Sequence, residues 1–159
     1  MKKFVIVFTL CTIVFVLAGL VYIVKTPAPM HTKNTTAQKT ITQKTITLGS
    51  AQVAVEVAST EVEREQGLSG HMSLKGGEGM LFVFEHPSNW GIWMKDMHFP
   101  IDIMWVASDG TILSIAHNVA PSTYPEIFYP QTPTAMYVIE LPSGFTEKEH
   151  IKEGLQVNI

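Results

Sequence analysis

The sequence predicts a mainly β domain, a compact β sandwich or barrel of about seven or eight short strands with one short helix. Short segments with strand character recur through residues 45–159, and turn residues separate them at intervals of roughly 8–12 positions. One segment in this region begins with a helix-capping pattern. An uncharged stretch precedes the domain, and we expect it to form an N-terminal transmembrane helix.

Residues 1–24 predict a membrane anchor. The stretch 4–24 has 21 residues without a charge, and at about 1.5 Å per residue such a helix crosses a hydrocarbon core of about 30 Å. Lys2 and Lys3 favour a cytoplasmic N-terminus, which places the domain on the extracytoplasmic side. A signal peptide cleaved after Ala18 is the alternative, but it would leave an apolar stub, so we prefer an uncleaved anchor.

The composition changes after the anchor. Residues 25–44 are rich in Thr, Lys, Gln and Pro and predict a flexible tether, because so few apolar side chains cannot offset the entropy of ordering. Residues 45–159 carry five basic and fourteen acidic residues, a net charge of −9. Such a domain repels a phosphate backbone, so no nucleic-acid partner is expected. Cys11 is the only cysteine, so the domain has no disulfide or cysteine-based metal site.

Strands account for most of the predicted domain. Segments that alternate apolar and polar side chains indicate half-buried strands, and segments that are apolar throughout indicate fully buried ones. The predicted strands are residues 45–48, 52–57, 80–84, 92–95, 101–106, 111–116, 135–141 and 155–159. Residues 49–50 and 108–110 predict hairpin turns, and residues 86–89 predict a further turn.

One helix and one long loop complete the domain. Thr60 and Glu63 form a capping-box pattern that opens a short helix, and Gly67 is a suitable stop. Residues 120–133 contain four prolines, which disfavour regular structure, and their aromatic side chains are expected to pack over the sheet. Residues 146–151 predict one helical turn.

The most informative stretch is residues 90–106. It contains all three tryptophans, and it sets several charged side chains among apolar ones, so either partners within the fold or a ligand must satisfy those charges. Proline cannot donate to a strand ladder, so Phe99-Pro100 is expected to form a corner that gathers the charges beside the helix bearing Arg64. The candidate ligand-binding residues are Arg64, Trp90, Trp93, Lys95, Asp96, His98 and Asp102.

Two interpretations of this cluster differ in what satisfies the charges. In the structural interpretation, Arg64 forms a bidentate pair with an aspartate and Lys95 extends past Trp93. In the functional interpretation, the charges form the floor of a cleft walled by Trp90, Trp93 and Trp105, and a ligand binds there. The second interpretation predicts a binding module.

Other functions remain alternatives. If Asp96 and Asp102 shared one pocket, one of them would have a raised pKa and act as an acid on an envelope substrate, but no nucleophile is evident and no catalytic residue is assigned. His71-Met72 and Met94-x-x-Met97-His98 offer ligands suited to copper, although methionine more often fills cores, so no metal ligand or cofactor is assigned. The aromatic residues of 120–133 would suit an envelope protein partner.

Several ordered motifs resemble those of the domain-of-unknown-function family 192 over about residues 45–159. They are Glu63-Arg64-Glu65-Gln66-Gly67-Leu68, Gly79-Met80-Leu81-Phe82-Val83-Phe84, Ile92-Trp93-Met94-Lys95-Asp96, Pro100-Ile101-Asp102-Ile103 and Asp109-Gly110-Thr111-Ile112. The chain departs from the family pattern at Ser69 for methionine, Ile92 for phenylalanine, Asp96 for asparagine and Met97 for threonine. The resemblance implies a small β-rich domain, often behind a signal or anchor, without an established activity.

Overall fold

The computed structural model describes residues 42–159, and their fold is mainly β. In chain order the strands are β1 (Thr42–Leu48), β2 (Ala51–Ala58), β3 (Glu78–Ser88), β4 (Ile92–Trp93), β5 (Ile101–Val106), β6 (Ile112–Val119), β7 (Ile127–Phe128), β8 (Ala135–Pro142) and β9 (Val157–Asn158). The helices are α1 (Glu61–Gln66), a 3-10 turn (Pro121–Thr123) and α2 (Phe145–Lys148). The predicted mainly β class is confirmed.

The predicted anchor and nearly all of the predicted tether lie outside the described residues. Strand β1 begins at Thr42, so the last three residues assigned to the tether are part of the sheet. Within residues 42–159, no helix has both the length and the apolar character that a membrane crossing requires. The transmembrane helix therefore stays a prediction.

Seven strands form one curled sheet in the order β6-β5-β8-β3-β2-β1-β9. Neighbouring strands are antiparallel except β2 and β3, which are parallel and are therefore joined by a longer connection that contains α1. The two edges of the sheet meet where Thr111 pairs with Gln156. The Val157 N–H donates to the Gly110 carbonyl at 2.8 Å in the same place. These contacts close the sheet on itself, which is the barrel form of the predicted fold.

The apolar side chains form two layers. One cluster draws residues from all seven strands of the curled sheet and fills its interior, and Ile139 and Leu141 of β8 belong to it. The other cluster covers the outer face of β3, β5 and β8 and includes Val138 together with loop residues such as Met97. Because successive side chains of a strand point to opposite faces, β8 contributes to both layers. Trp90 and Met97 pack against the outer layer, whereas Asp102 has the same parity on β5 as Met104 and Val106 of the interior cluster.

The short helix α1 forms as its capping box predicts. Glu63 N donates to the Thr60 hydroxyl at 3.3 Å, and Thr60 N donates to the Glu63 carboxylate at 2.9 Å. Hydrogen bonds to this carboxylate from Thr60 N and from Ser59 N hold the pKa of Glu63 below its ordinary value. Gly67 ends the helix at φ +47°, and a Cβ there would lie 3.3 Å from the Phe82 ring. The end of α1 is thereby packed directly on β3.

Two predicted boundaries are wrong. Strand β3 continues through the predicted turn at 86–89 as far as Ser88, with a register shift against β8 after Val83. Pro87 lies in the shifted stretch, where a missing donor costs no ladder bond. Strand β4 covers only Ile92–Trp93 and pairs with β7 in a separate two-stranded sheet. Its partner comes from the proline-rich loop, and local apolar content gives no sign of that distant pairing.

Candidate functional site

The structure separates the predicted site residues into different environments. The groups are the cleft residues Trp93, Lys95 and Asp96, the stacked residues Arg64 and Trp90, the exposed His98, and the fully buried Asp102. Three of the seven therefore line one cavity. That cavity is the candidate site.

The cleft lies between α1 and the segment that follows β4, and its volume is about 570 Å³. Its lining residues are Val62, Glu65, Gln66, Ser69, Gly70, Trp93, Lys95 and Asp96. Two hydrogen bonds join the walls: the Ser69 hydroxyl donates to the Lys95 carbonyl at 2.8 Å, and Gly70 N donates to the Asp96 carbonyl at 3.0 Å. The width of the cleft is thus set by one side-chain and one backbone hydrogen bond to the 95–96 carbonyls.

Asp96 occupies an unusual backbone conformation. Its φ is +56°, in the left-handed region that asparagine and aspartate tolerate better than other side chains. This gives a physical reason why the chain has aspartate where the family pattern has asparagine. The side chain is exposed at the rim of the cleft.

Trp93 forms the aromatic wall of the cleft. Its side chain is 46% exposed, and the ring of Tyr124 meets it edge-on at 6.1 Å. The Lys95 ammonium lies 5.7 Å from the Trp93 ring centroid, in agreement with the predicted course of Lys95 past this ring. At an exposed position such a cation–π contact contributes only about 0.5–1 kcal/mol, so a ligand can displace Lys95 at small cost.

The predicted cleft with three tryptophan walls is wrong. Trp105 is only 1% exposed and belongs to the outer apolar layer. Its indole Nε1 donates to the Trp90 carbonyl at 2.7 Å. Trp90 stacks on Phe84 with ring centroids 4.1 Å apart. Trp90 and Trp105 therefore pack within the domain and do not line the cleft. Alternation along β5 turns the Trp105 side chain towards the outer apolar layer.

Arg64 does not pair with an aspartate, so that part of the structural interpretation is also wrong. Its Nη1 donates to the Ser59 carbonyl at 2.5 Å and to the Val83 carbonyl at 3.0 Å. The guanidinium carbon lies 5.1 Å from the centroid of the Phe84 ring. Arg64 thus ties α1 to the residue after β2 and to β3 through carbonyl groups and one aromatic face.

Asp102 is enclosed by hydrogen-bond donors. Its Oδ1 accepts from Asn118 N at 2.9 Å and Gly144 N at 3.2 Å, and its Oδ2 accepts from the Thr146 hydroxyl at 2.7 Å and Thr146 N at 3.0 Å. Burial alone raises the pKa of Asp102, but these hydrogen bonds outweigh it and hold the pKa below its ordinary value. Asp102 is 0% exposed. It therefore does not share the cleft with Asp96, and the predicted acid–base pair does not form.

Glu140 is the site residue that the sequence reasoning missed. It lies on β8 and is only 5% exposed, and its Oε2 has no hydrogen-bond partner within residues 42–159. Burial raises the pKa of Glu140 to about 8. The available signal was a single acidic residue in the otherwise apolar run of the 135–141 strand. No basic residue close to Glu140 in the sequence indicated a partner for its carboxyl.

Glu140 lies in a small pocket that adjoins the cleft. The pocket has a volume of about 60 Å³. Glu65, Gln66, Ser69 and Trp93 line both cavities, so the two cavities lie side by side. Phe82, Ile92 and Met97 are among its other walls. The site is thus an open cleft with a narrow polar extension.

The structure gives the copper alternative little support. Met94 is 1% exposed and belongs to the outer apolar layer, so its sulfur cannot join Met97 and His98 at a surface site. Residues 42–159 contain no group of three or more histidine, cysteine or acidic side chains arranged to hold a metal ion. The methionines of this stretch serve mainly as packing groups.

Comparison with known proteins supports the family but provides no activity. The family model for domain of unknown function 192, described as an uncharacterized ACR, matches residues 40–159. One similar crystal structure is that of a Sinorhizobium meliloti protein described as a candidate transcription regulator. The two sequences are 31% identical, the match covers 74% of this chain and 93% of that protein, and the TM-score is 0.69. The crystal structure of a protein of unknown function from Novosphingobium aromaticivorans is also similar. The sequences are 31% identical, the match covers 75% of this chain and 85% of that protein, and the TM-score is 0.65.

No curated protein matches the chain. The family match spans three quarters of the sequence and includes every element of the barrel. The two similar structures agree with it in fold over nearly the same share of the chain. The chain therefore belongs to the domain-of-unknown-function family 192.

Proposed function

We propose that this protein is a membrane-anchored binding module whose extracytoplasmic domain holds a small, ring-shaped polar ligand in the cleft beside α1. The observation that carries the proposal is the cleft itself, where an exposed tryptophan face stands opposite polar side chains of the helix. Its volume of about 570 Å³ falls within the range of roughly 300–1,000 Å³ that is typical of small-molecule sites.

The lining favours a ligand with one apolar face and a polar edge. The indole of Trp93 offers a flat surface for stacking. Glu65, Gln66 and Asp96 surround it with carboxylate and amide groups that can hydrogen-bond to hydroxyls. A saccharide ring has both features, since its axial C–H groups form an apolar face and its hydroxyls form the edge.

The proposed location rests on the N-terminal sequence. The uncharged stretch 4–24 follows Lys2 and Lys3, which is the pattern of a helix with its N-terminus in the cytoplasm. Residues 25–41 would then separate the barrel from the membrane surface. A domain held there would meet envelope ligands.

Nucleic acid is a poor candidate ligand. One similar protein is described as a candidate transcription regulator, but the net charge of −9 over residues 45–159 opposes binding to a phosphate backbone. The cleft follows the same trend, since Glu65 and Asp96 face a single lysine there.

Saturation-transfer NMR with glucose, galactose and N-acetylglucosamine would test the binding proposal on the full chain in detergent micelles. We expect transfer to the ring protons of at least one of these sugars and loss of that transfer in Trp93→Ala. Tyr129→Ala is the matched control, because Tyr129 is an exposed aromatic residue that does not line the cleft. No transfer to any sugar, or equal loss in both variants, would contradict the proposal.

A second candidate function is the docking of an envelope protein, which an exposed aromatic patch favours. Trp93 pairs with Ile127 across β4 and β7 and meets Tyr124 edge-on. A Cβ at Gly91 would lie 2.6 Å from both Ile127 and Tyr129, so these side chains adjoin. A photo-crosslinker at position 127 in native membranes should then capture one reproducible partner, and a crosslinker at exposed position 72 should not.

A further inference from the structure

The side chain of Glu140 has no structural role that explains its burial. Strand β8 lies between β3 and β5, and Glu140 is paired with Met80 on one side and Ile103 on the other. The backbone is therefore satisfied by the sheet, whereas the carboxyl points into the outer apolar layer. There its Oε2 finds no donor within the described part of the chain. Buried polar atoms are nearly always hydrogen-bonded, so an orphan oxygen calls for an explanation.

The space around this oxygen is suited to a small group. The pocket volume is about 60 Å³, well below the roughly 150 Å³ of an apolar cavity that holds a benzene ring. An amino group with its carbon fits into such a volume, but a ring does not. A ring held in the adjoining cleft can extend a substituent into the pocket, because Glu65, Gln66, Ser69 and Trp93 line both.

We propose that the pocket is an ammonium subsite, in which a primary ammonium group of the ligand in the cleft donates hydrogen bonds to the carboxyl of Glu140. The inference rests on the proposed function, which supplies the ring that carries this group. It goes further by assigning the ligand class, an amino-substituted ring, and by assigning the residue that selects it.

The charge of the lining favours an ammonium group over a neutral hydroxyl. A cation on its way to Glu140 passes Glu65 and Asp96. Arg64 also lines the pocket and its positive charge offsets part of this attraction, but its Nη1 is directed at the carbonyls of Ser59 and Val83 and not at Glu140. A charge-assisted hydrogen bond to an ionised carboxyl is roughly twice as strong as a neutral one.

The protonation of Glu140 makes binding depend on pH. The titratable or charged residues that line the pocket are Glu140 itself and, on α1, Arg64 and Glu65; those from β3 and the 91–97 segment are uncharged. Burial raises the pKa of Glu140 to about 8, so binding an ammonium ion at pH 7 requires loss of a proton. That requirement reduces the affinity about tenfold at pH 7 relative to a fully ionised carboxyl. Affinity should rise between pH 6 and 8 for as long as the amino group of the ligand keeps its proton.

Methylammonium provides a test that needs no ring. In the full chain with 13C-labelled glutamate, the Glu140 carboxyl resonance, identified by its absence in Glu140→Gln, reports ionisation directly. We expect saturating methylammonium to lower the midpoint of that titration by about one unit, a tenfold coupling. Tetramethylammonium at equal ionic strength is too large for the pocket and should leave the midpoint unchanged. An equal shift with both ions, or with neither, would overturn the proposal and leave a pocket filled by water.

A matched sugar pair separates the subsite from the proposed function. Glucosamine and glucose share one ring and differ in an ammonium group against a hydroxyl. Glucosamine should bind at least tenfold more tightly, and Glu140→Gln should remove the preference while glucose binding persists. Equal binding of the two sugars would overturn the subsite and leave the cleft proposal standing. A methylammonium response without binding of either sugar would support the subsite and contradict the ring-binding proposal.

Discussion

Thr146 donates two hydrogen bonds to Asp102, one from its hydroxyl at 2.7 Å and one from its backbone N–H at 3.0 Å. The two residues are 44 positions apart in the chain. Asp102 lies on β5, and Thr146 lies in α2, which follows β8. One buried carboxylate thus fixes α2 against the end of the sheet, and it does so with both of its oxygens.

Asp102→Asn should destabilise the barrel by about 2–4 kcal/mol, because an amide nitrogen would face donors in a site without solvent. The free energy of unfolding from urea titration at pH 7 measures the effect. Asp96→Asn is the matched control, and it should change stability by less than about 0.5 kcal/mol because Asp96 is exposed and asparagine accepts its positive φ. Similar losses in the two variants would contradict the structural role of Asp102.

The wild type and Asp102→Asn should also differ in how their stability depends on pH. The folded-state pKa of Asp102 is lowered from 3.8, so its contribution is complete above that value and is lost as pH falls through the folded-state pKa. The stability difference between the wild type and Asp102→Asn should therefore be constant from pH 5 to 7 and shrink below about pH 4. A difference in the free energy of unfolding that grows as the pH falls would contradict a lowered pKa of Asp102 in the folded state.

Glu140 should make the free energy of unfolding fall as the pH rises, whereas Asp102 makes it fall as the pH drops. Its pKa is raised from 4.5 to about 8, so between these values the unfolded state releases a proton that the folded state keeps. Stability conferred by the neutral carboxyl is then lost steadily as pH rises from about 4.5 to 8, and the loss from pH 5 to 8 is on the order of 2–4 kcal/mol. Urea titrations should show this slope in the wild type. In Glu140→Gln this part of the slope should be lost, whatever the absolute stability.

Closure of the barrel depends on Gly110. Its φ is +88°, and a Cβ there would lie 2.6 Å from the Val157 carbonyl oxygen. Gly110→Ala should therefore lower the free energy of unfolding by about 2 kcal/mol or more through strain and loss of the closing hydrogen bonds. Gly76→Ala is the control, since a Cβ at that loop position meets nothing within 4 Å. Thermal unfolding of the two variants makes the comparison.

Fluorescence quenching can test the separate environments of the tryptophans. Acrylamide reaches exposed indoles, so Trp93→Phe should remove most of the quenchable emission of the full chain. Trp105→Phe should leave the quenchable part intact, because Trp105 is buried and donates to the Trp90 carbonyl. Strong residual quenching in Trp93→Phe would show that another tryptophan is open to solvent.

Local patterns in the sequence determined α1 and the seven strands of the curled sheet. Alternation of side chains along β1 and β2 is a property of neighbouring residues, and so are the mostly apolar run of β5 and the capping box of Thr60 and Glu63. The motifs also identified the family over almost the whole barrel. Of the predicted site, Trp93, Lys95 and Asp96 come together because they are close in sequence and lie across from α1.

Tertiary structure decided everything that depends on partners far along the chain. Asp102 finds its donors 16 to 44 positions away, and β4 pairs with a strand from the proline-rich loop rather than with the main sheet. The pocket at Glu140 exists only because α1 and the 91–97 segment cover β8 from outside. The sequence by itself determined which side chains face a layer. Only the packed fold decided which of those side chains would find hydrogen-bond partners, and Glu140 Oε2 finds none among residues 42–159.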